Sequence, residues 1–180
     1  MNAARDNDPY VLFELGGTTY GIPSADVAHV EMFEHVTLVP NANPAIDGVV
    51  FSRGRVVPAL NLRLRFGLAR QPPTIRTRLL FVEARERVVG LIVDTAREFL
   101  RIPSDLVRPI EQTLAGVGGN YLKAVANIGE RLILLLDLDA VLDVERDASA
   151  PITTAPGTVQ TGSLEPLLEF REPKTSTTAA

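Results

Sequence analysis

The stretch "GVVFSRGRVVPALNL", residues 48–62, places two arginines and a glycine between two short runs rich in valine and leucine. β-Branched and aliphatic residues on both sides of a short polar segment predict two antiparallel strands joined by a tight turn. Gly54 suits that turn because a residue without a Cβ takes a positive φ angle at little cost. Arg53 and Arg55 are then either ordinary surface residues or a contact for another protein.

The same hairpin pattern occurs in two other segments. "YVLFELGGTTYGIP", residues 10–23, alternates around Gly16-Gly17, and "RLLFVEARERVVGLIVD", residues 78–94, alternates around a charged turn. Short apolar strands recur along the chain without long amphipathic helices between them. The sequence therefore predicts an all-β fold, mainly β with short helices, of the barrel or sandwich type.

Two segments of the chain resemble each other. With no gap and an offset of 76 residues, residues 48–62 lie over "AVANIGERLILLLDL", residues 124–138. Asn61 then matches Asp137, and both are predicted to cap a single-turn helix, since Asn and Asp are favoured at the N-cap. The repeat predicts a folded domain over residues 10–146 with two similar β lobes, about 10–75 and 76–146.

The last part of the chain has a different composition. Residues 147–180 are rich in Ala, Thr, Pro and Ser, with little apolar surface to bury, and are predicted to be a disordered C-terminal tail. Within it, "SLEPLLEF", residues 163–170, places three leucines at helical spacing. This segment leaves open a short linear motif, a strap on the domain, or a tail without function.

Charge is unevenly distributed although the net charge is only −4. Residues 53–108 carry twelve arginines against five acidic residues, while the segments on either side are acidic. This basic middle part suggests a nucleic-acid-binding β-barrel as an alternative function. In a compact domain, however, the three segments can simply neutralise one another, and aromatic residues for base stacking are few.

The residue types needed for catalysis are sparse. The chain has no cysteine, which excludes disulfides and thiolate metal sites and fits the cytoplasm. Its two histidines, His29 and His35, stand six residues apart without a recognisable metal spacing, and there is no G-x-S-x-G motif. A surface or packed role is the better interpretation of His29. We therefore expect no enzymatic activity, no metal and no other cofactor.

Four segments, in order along the chain, carry a resemblance to a known family. They are "TTYGIPSADVAHV" (18–30), "VPNANPAIDGVVFSRGRVVPALNLRLRFGL" (39–68), "RVVGLIVDTAREFLRIPSDLVRPI" (87–110) and "YLKAVANIGERLILLLDLDAVL" (121–142). Together they resemble CheW, the bacterial chemotaxis coupling protein family, over about residues 10–143. The resemblance implies two SH3-like five-stranded β-barrels that share a hydrophobic core.

The resemblance also implies a function. It is that of a non-enzymatic adaptor that couples the cytoplasmic tip of methyl-accepting chemoreceptors to the regulatory domain of a CheA-type histidine kinase. Other CheW-like domains are further implied partners, in rings. The protein is then cytoplasmic, without membrane insertion, and recruited to membrane-associated receptor arrays.

Site residues are implied by position within the family. The receptor-binding groove maps to Val27, Val30, Ile92 and Val93, with Arg53 at its edge. Phe51 and Arg55 flank Arg53 and are expected to contribute to the same contact. For each aliphatic residue the alternative is plain core packing, because strand burial alone places most valines inside.

The sequence departs from the family pattern at several positions. Phe51-Ser52-Arg53-Gly54 replaces the usual Asn-Leu-Arg-Gly, and Arg55 stands where an apolar residue is usual. Asn61 replaces an aspartate, and His29 occupies a position that is often acidic. These changes suggest a divergent paralogue for another receptor array, such as one controlling surface motility.

Overall fold

The computed structural model describes residues 8–84, 87–110 and 119–144, and the fold below refers to these residues. The strands are β1 (Asp8–Leu15), β2 (Thr18–Pro23), β3 (Val27–Met32), β4 (Ile46–Ser52), β5 (Arg55–Asn61), β6 (Arg78–Ala84), β7 (Arg87–Val93), β8 (Thr95–Ile102), β9 (Val107–Pro109), β10 (Leu122–Ile128) and β11 (Arg131–Leu136). Two short helices follow β5 and β11, namely α1 (Leu62–Arg65) and α2 (Leu138–Leu142). Single 3₁₀ turns occupy Ser24–Asp26, Ser104–Leu106 and Gly119–Tyr121.

These strands form two sheets. Sheet 1 has the order β8-β1-β2-β11-β10-β9, and sheet 2 has the order β3-β6-β7-β5-β4. Neighbouring strands are antiparallel except for β11 beside β2 and β5 beside β7, which are parallel. The predicted mainly-β fold is confirmed, with six strands in sheet 1 and five in sheet 2 of the described residues.

Sheet membership differs from the expected division of the chain near residue 75. The β1–β2 hairpin belongs to sheet 1 with the C-terminal strands, and the β6–β7 hairpin belongs to sheet 2 with β3, β4 and β5. The cause is the pair of parallel contacts, in which Gly21 lies beside Leu135 and Gly90 lies beside Ala59. One lobe is therefore continuous in sequence, while the other is assembled from both ends of the domain.

The buried side chains fall into three clusters. One lies among strands of sheet 1 and includes Leu12 and Ile133, and a second lies within sheet 2 and includes Val57 and Phe81. The third and largest takes residues from both sheets and both helices: Phe13, Leu15, Ile22, Ala45, Leu60, Leu62, Phe66, Leu80, Val82, Leu91, Val93, Tyr121, Leu136, Leu138 and Val141. Two lobes thus share one core, as the resemblance implied.

Each of the two matched hairpins is followed by a short helix with a side-chain cap, as the sequence predicts. The Asn61 side-chain oxygen accepts a hydrogen bond from the Leu64 amide at 3.3 Å, and Asp137 accepts one from the Ala140 amide at 3.2 Å. Each side chain caps its short helix, α1 or α2, so both predicted caps are confirmed. Among the described residues, no helix has the length and apolar character to cross a membrane. The predicted disordered tail, residues 147–180, lies outside the described residues.

Candidate partner-binding surface

The turn between β4 and β5 projects from one edge of sheet 2. Arg53 has φ of 48° and Gly54 has φ of 79°, so both central residues lie in the left-handed region, as a two-residue type I′ turn requires. Phe51 and Val56 face each other across the two strands, and their exposed fractions are 76% and 68%. The hairpin tip, residues 51–56, therefore presents an aromatic–aliphatic pair beside Arg53 and Arg55, which are both exposed.

Only one residue of the hairpin tip is buried. Ser52 is 6% exposed, while the five other residues of the tip are exposed. The Ser52 hydroxyl donates to Oε1 of Glu31 at 2.7 Å and lies 3.1 Å from Nε2 of His29. Ser52 thereby connects the end of β4 to β3, although these two strands stand at opposite edges of sheet 2.

His29 is a packed residue, which is one of the two roles that the sequence left open. Its ring stacks on Phe81 with the centroids 4.4 Å apart and the planes 10° from parallel, and its side chain is 13% exposed. Nε2 also lies 3.0 Å from Oε1 of Glu31, whereas the buried Nδ1 has no hydrogen-bond partner among the described residues. A hydrolytic triad needs the acid and the serine on different ring nitrogens, so this cluster does not have that geometry.

The four aliphatic site residues do not share one environment. Val27 packs against the shared core, and Val93 is buried within it at 1% exposure. Val30, on the edge strand β3, is 41% exposed and pairs with Leu80 of that same core. Ile92 instead belongs to the cluster inside sheet 2, because adjacent residues of a strand face opposite sides.

Two grooves adjoin these aliphatic residues. A cleft of about 590 Å³ beside Ile92 and Val93 also contains paired charges, with Arg63 3.0 Å from Asp94 and Arg70 2.7 Å from Asp47. A second groove, of about 500 Å³, lies next to Val27 and is lined by Pro23, Asp26, Glu83, Ala84, Lys123, Leu136, Asp137, Leu138 and Asp139. Burial raises the pKa of Asp26 above its ordinary value; nearby Lys123 partly offsets this, and Asp139 adds to it.

Several arginines of the basic middle segment are used inside the fold. Arg63 and Arg65 are 9% and 7% exposed, and Arg65 donates to three backbone carbonyls at the end of α2. Arg63 and Arg70 pair with aspartates as described above. Arg63 and Arg65 are therefore not available to phosphates and Arg70 is already paired, so these three of the twelve arginines give little support to the nucleic-acid alternative. Within the described residues, no group of three His, Asp or Glu side chains is arranged to hold a metal ion.

The sequence did not point to Val56, Ser52 and Glu31 as parts of this surface. Val56 was detectable, because a two-residue turn at Arg53-Gly54 puts residues 51 and 56 opposite each other on one face. The contact of Ser52 with Glu31 was not, since it depends on how sheet 2 curves to bring β3 near β4.

Comparison with known proteins agrees with the geometry. Residues 9–146 match the family described as CheW-like domain. The chemotaxis protein CheW of Klebsiella aerogenes is 29% identical over 139 residues, which is 77% of this chain and 84% of that protein. CheW of Bacillus subtilis is 28% identical over 146 residues, covering 81% and 94%. Protein FrzA of Myxococcus xanthus is 36% identical over 110 residues, covering 59% and 67%.

A solved structure shares the fold. The scaffolding protein TtCheW from Thermoanaerobacter tengcongensis superposes with a TM-score of 0.71 at 24% identity, over 76% of this chain and 93% of that one. The family match runs from within β1 to just beyond the end of α2. The protein belongs to the CheW-like domain family.

Proposed function

We propose that this protein is a chemotaxis adaptor that couples the cytoplasmic tip of a methyl-accepting chemoreceptor to the regulatory domain of a CheA-type histidine kinase. Membership of the CheW-like family supports this role, as do the relatives named chemotaxis protein CheW and the related structure named a scaffolding protein. The adaptor acts in the cytoplasm at membrane-associated receptor arrays, and it also pairs with other CheW-like domains in rings. It carries out no catalytic step and needs no cofactor.

The hairpin tip is the observation that carries this proposal. Phe51 and Val56 leave most of their apolar surface in water, which is unfavourable for a free domain and typical of a partner contact. Arg53 and Arg55 adjoin that apolar pair. Aromatic residues and arginine are enriched together at the centres of protein interfaces, where they contribute most of the binding free energy.

The backbone of Arg53 adds a second argument. An L-residue in the left-handed region costs about 1 kcal/mol relative to a right-handed conformation, and asparagine or glycine is favoured there. Arg53 adopts φ of 48° with its side chain exposed, and no hydrogen bond or ion pair to another described residue explains an arginine at that place. A strained residue with an exposed cationic side chain is expected where a partner selects that side chain.

The receptor contact extends to the edge of sheet 2. Val30 is exposed on β3, and Val27 is partly buried on the same face. Val93 is buried on β7 in the shared core against which Val27 packs, whereas Ile92 lies in the cluster inside sheet 2. The partner segment would pack its apolar residues along β3 and place an acidic or carbonyl group near Arg53, because a guanidinium offers five donors in a fixed plane.

Binding measurements with purified receptor-tip and kinase regulatory-domain fragments test the proposal. Arg53→Ala is expected to fold normally by circular dichroism and to weaken binding by at least about 1 kcal/mol, and Arg53→Glu is expected to weaken it further. Arg101→Ala is the matched control, because Arg101 is also exposed but lies on β8 of the other sheet. Wild-type binding by Arg53→Glu would remove the hairpin tip from the interface.

The departures at positions 29, 51, 52 and 61 define the kind of adaptor proposed. Positions 29, 51 and 52 lie in the hairpin tip or in contact with it, where they alter the contact surface, whereas Asn61 is buried at the other end of β5 and caps α1. We therefore assign the chain to a divergent paralogue that serves a second receptor array, such as one for surface motility. Binding that is no stronger to the receptors of that second array than to those of the main chemotaxis pathway would contradict this assignment.

A further inference from the structure

We propose that His29 is a positioning residue that, through Ser52 and Glu31, fixes the direction in which Arg53 leaves the domain. The proposal concerns two side chains from strands at opposite edges of sheet 2, Ser52 at the end of β4 and His29 on β3. In the folded protein these two side chains touch, at 3.1 Å. The two edge strands are thus joined through these side chains.

The hairpin tip has few other attachments to the lobe. Five of its six residues are exposed, and β4 is an edge strand that has β5 alone as a neighbour among the described strands. Farther along β4, backbone hydrogen bonds of 2.8 and 2.9 Å join Val49 to Thr37. Ser52, three residues beyond Val49, is the last point at which β4 is held against another part of sheet 2 before Arg53 begins the turn.

The hydrogen bonds of the Ser52–His29–Glu31 cluster fit one arrangement. The Ser52 hydroxyl donates to Glu31, so its oxygen accepts from the Nε2 proton of His29. The ring of His29 cannot swing away easily, because it stacks on Phe81 and is 13% exposed. Glu31 is 39% exposed, so of the two bonds of the Ser52 hydroxyl the one to His29 is better shielded from water and holds its partner more firmly. Ser52 is therefore held in one place, and Arg53 is the next residue.

This arrangement predicts a separation of effects. Breaking the cluster should loosen the hairpin tip without unfolding the lobe, since the core residues beneath it keep their contacts. It should also reduce the contribution of Arg53 to partner binding, because a mobile guanidinium must be ordered on association. That binding effect rests on the proposed function, whereas the loosening of the free protein does not.

The test compares three variants of the full chain by nuclear magnetic resonance. Ser52→Ala removes the hydroxyl, and His29→Phe keeps the stacking on Phe81 but removes the hydrogen bond. His29→Gln restores a side-chain N–H donor. In the first two variants we expect the order parameters of the Arg53 and Gly54 amides to fall from about 0.85 towards 0.6. Exchange protection at Arg55 should fall about fivefold, the factor for one lost hydrogen bond. His29→Gln should retain most of the wild-type values.

The second hairpin supplies an internal control. Gly129 and Glu130 form the equivalent turn between β10 and β11, and Arg131 begins β11; the amides of these three residues should not respond to any of the three variants. Unchanged order parameters at Arg53 in both Ser52→Ala and His29→Phe would overturn the proposal. So would an equal loss in both hairpins, because that would be a general loss of stability.

Partner binding is measured separately in the same variants. We expect Arg53→Ala to have a smaller effect in the Ser52→Ala background than in the wild type, since the two changes act on one contact. If the tip loosens but the effects of Ser52→Ala and Arg53→Ala on the binding free energy are fully additive, the positioning role of His29 is refuted and the adaptor proposal is not affected. A loosened tip in a protein that binds neither fragment would instead refute the adaptor proposal alone.

Discussion

Arg65 and Val141 occupy equivalent positions in the two halves of the chain, and Nε of Arg65 donates to the carbonyl oxygen of Val141 at 2.8 Å. The two residues are separated by the same 76 positions that align the two hairpins. Their contact therefore lies where the two similar halves meet. The repeat is asymmetric at this contact. The Arg65 side chain of α1 donates to carbonyl oxygens at the end of α2, whereas Val141 of α2 has no side-chain donor for α1.

The first prediction concerns this arginine. Nη2 of Arg65 also donates to the carbonyls of Ala140 and Asp143, at 3.1 and 2.7 Å, and the guanidinium lies 4.7 Å from the Tyr121 ring centre. The last carbonyls of a helix have no partner within it, so Arg65→Met would leave several of them unsatisfied. We expect the free energy of unfolding in urea to fall by about 3 kcal/mol. A loss no larger than that of Arg101→Ala would contradict this role.

The second prediction separates the backbone of Arg53 from its side chain. Asparagine tolerates the left-handed region better than arginine, and Asn-Gly is a favoured type I′ turn. Arg53→Asn should therefore leave the free energy of unfolding unchanged or raise it by up to about 1 kcal/mol, while binding to the receptor and kinase fragments weakens. Calorimetry and a binding titration on one preparation give both values. A variant that loses stability would show that the turn itself depends on arginine.

A third prediction concerns Gly48 of β4, which lies against the backbone of Thr37. Gly48 has φ of 148°, and a Cβ at that position would collide with the carbonyl group of Thr37. Gly48→Ala is expected to lower the free energy of unfolding by about 3 kcal/mol or more, because backbone rather than a flexible side chain must move. Gly17→Ala is the control: φ is 82° but no atom lies within 4 Å of the new Cβ, so only about 1 kcal/mol should be lost.

The fourth prediction is a pH dependence from an ion pair of sheet 1. Nη1 and Nη2 of Arg131 donate to the two carboxylate oxygens of Glu98, at 3.1 and 2.7 Å, which lowers the pKa of Glu98. The folded state then binds the proton less readily, so the stabilisation is present at neutral pH and is lost as the pH falls through the lowered pKa. Because both side chains are partly exposed, it should not exceed about 1 kcal/mol. Glu98→Gln should be less stable than wild type at pH 7 and equal to it in acid.

A fifth prediction concerns the tail. Deleting residues 148–180 should leave the melting temperature unchanged, because this composition offers too little apolar burial to offset about 1–2 kcal/mol of ordering cost per residue. Differential scanning calorimetry of the truncated and full chains decides the matter. A drop of several degrees would require that the "SLEPLLEF" segment contribute to the stability of the folded state.

Local features of the fold were predictable from the sequence. Alternation and turn residues located the hairpins, and the aligned Asn61 and Asp137 located both helix caps, because these depend on neighbouring residues alone. The exchange of hairpins between the sheets was not predictable. The β1–β2 and β6–β7 hairpins have the same pattern of apolar residues, and nothing local states which sheet will accept each one.

The candidate site, too, was predictable only in its local features. The turn chemistry of Arg53-Gly54 was readable, whereas the burial of Ser52 depends on β3 and β4 meeting across the curved sheet. Ile92 and Val93 are neighbours in sequence but face different clusters, so a site assigned by position combined residues from both faces of β7. A further signal was present: Ile-Pro-Ser occurs at residues 22–24 and again at 102–104, each time before a 3₁₀ turn and a strand.

The parallel contact of β2 with β11 has a consequence during synthesis. Tyr20 pairs with Leu134, so the first hairpin leaves the ribosome long before the strand that completes its sheet has been made. At elongation rates of roughly 5–20 residues per second, the edge of β2 stays unpaired for on the order of ten seconds, until β11 has been synthesised. An unpaired apolar edge is a site for incorrect strand pairing. For this protein the period of greatest aggregation risk therefore falls before translation ends, and it is set by the order in which the strands are made.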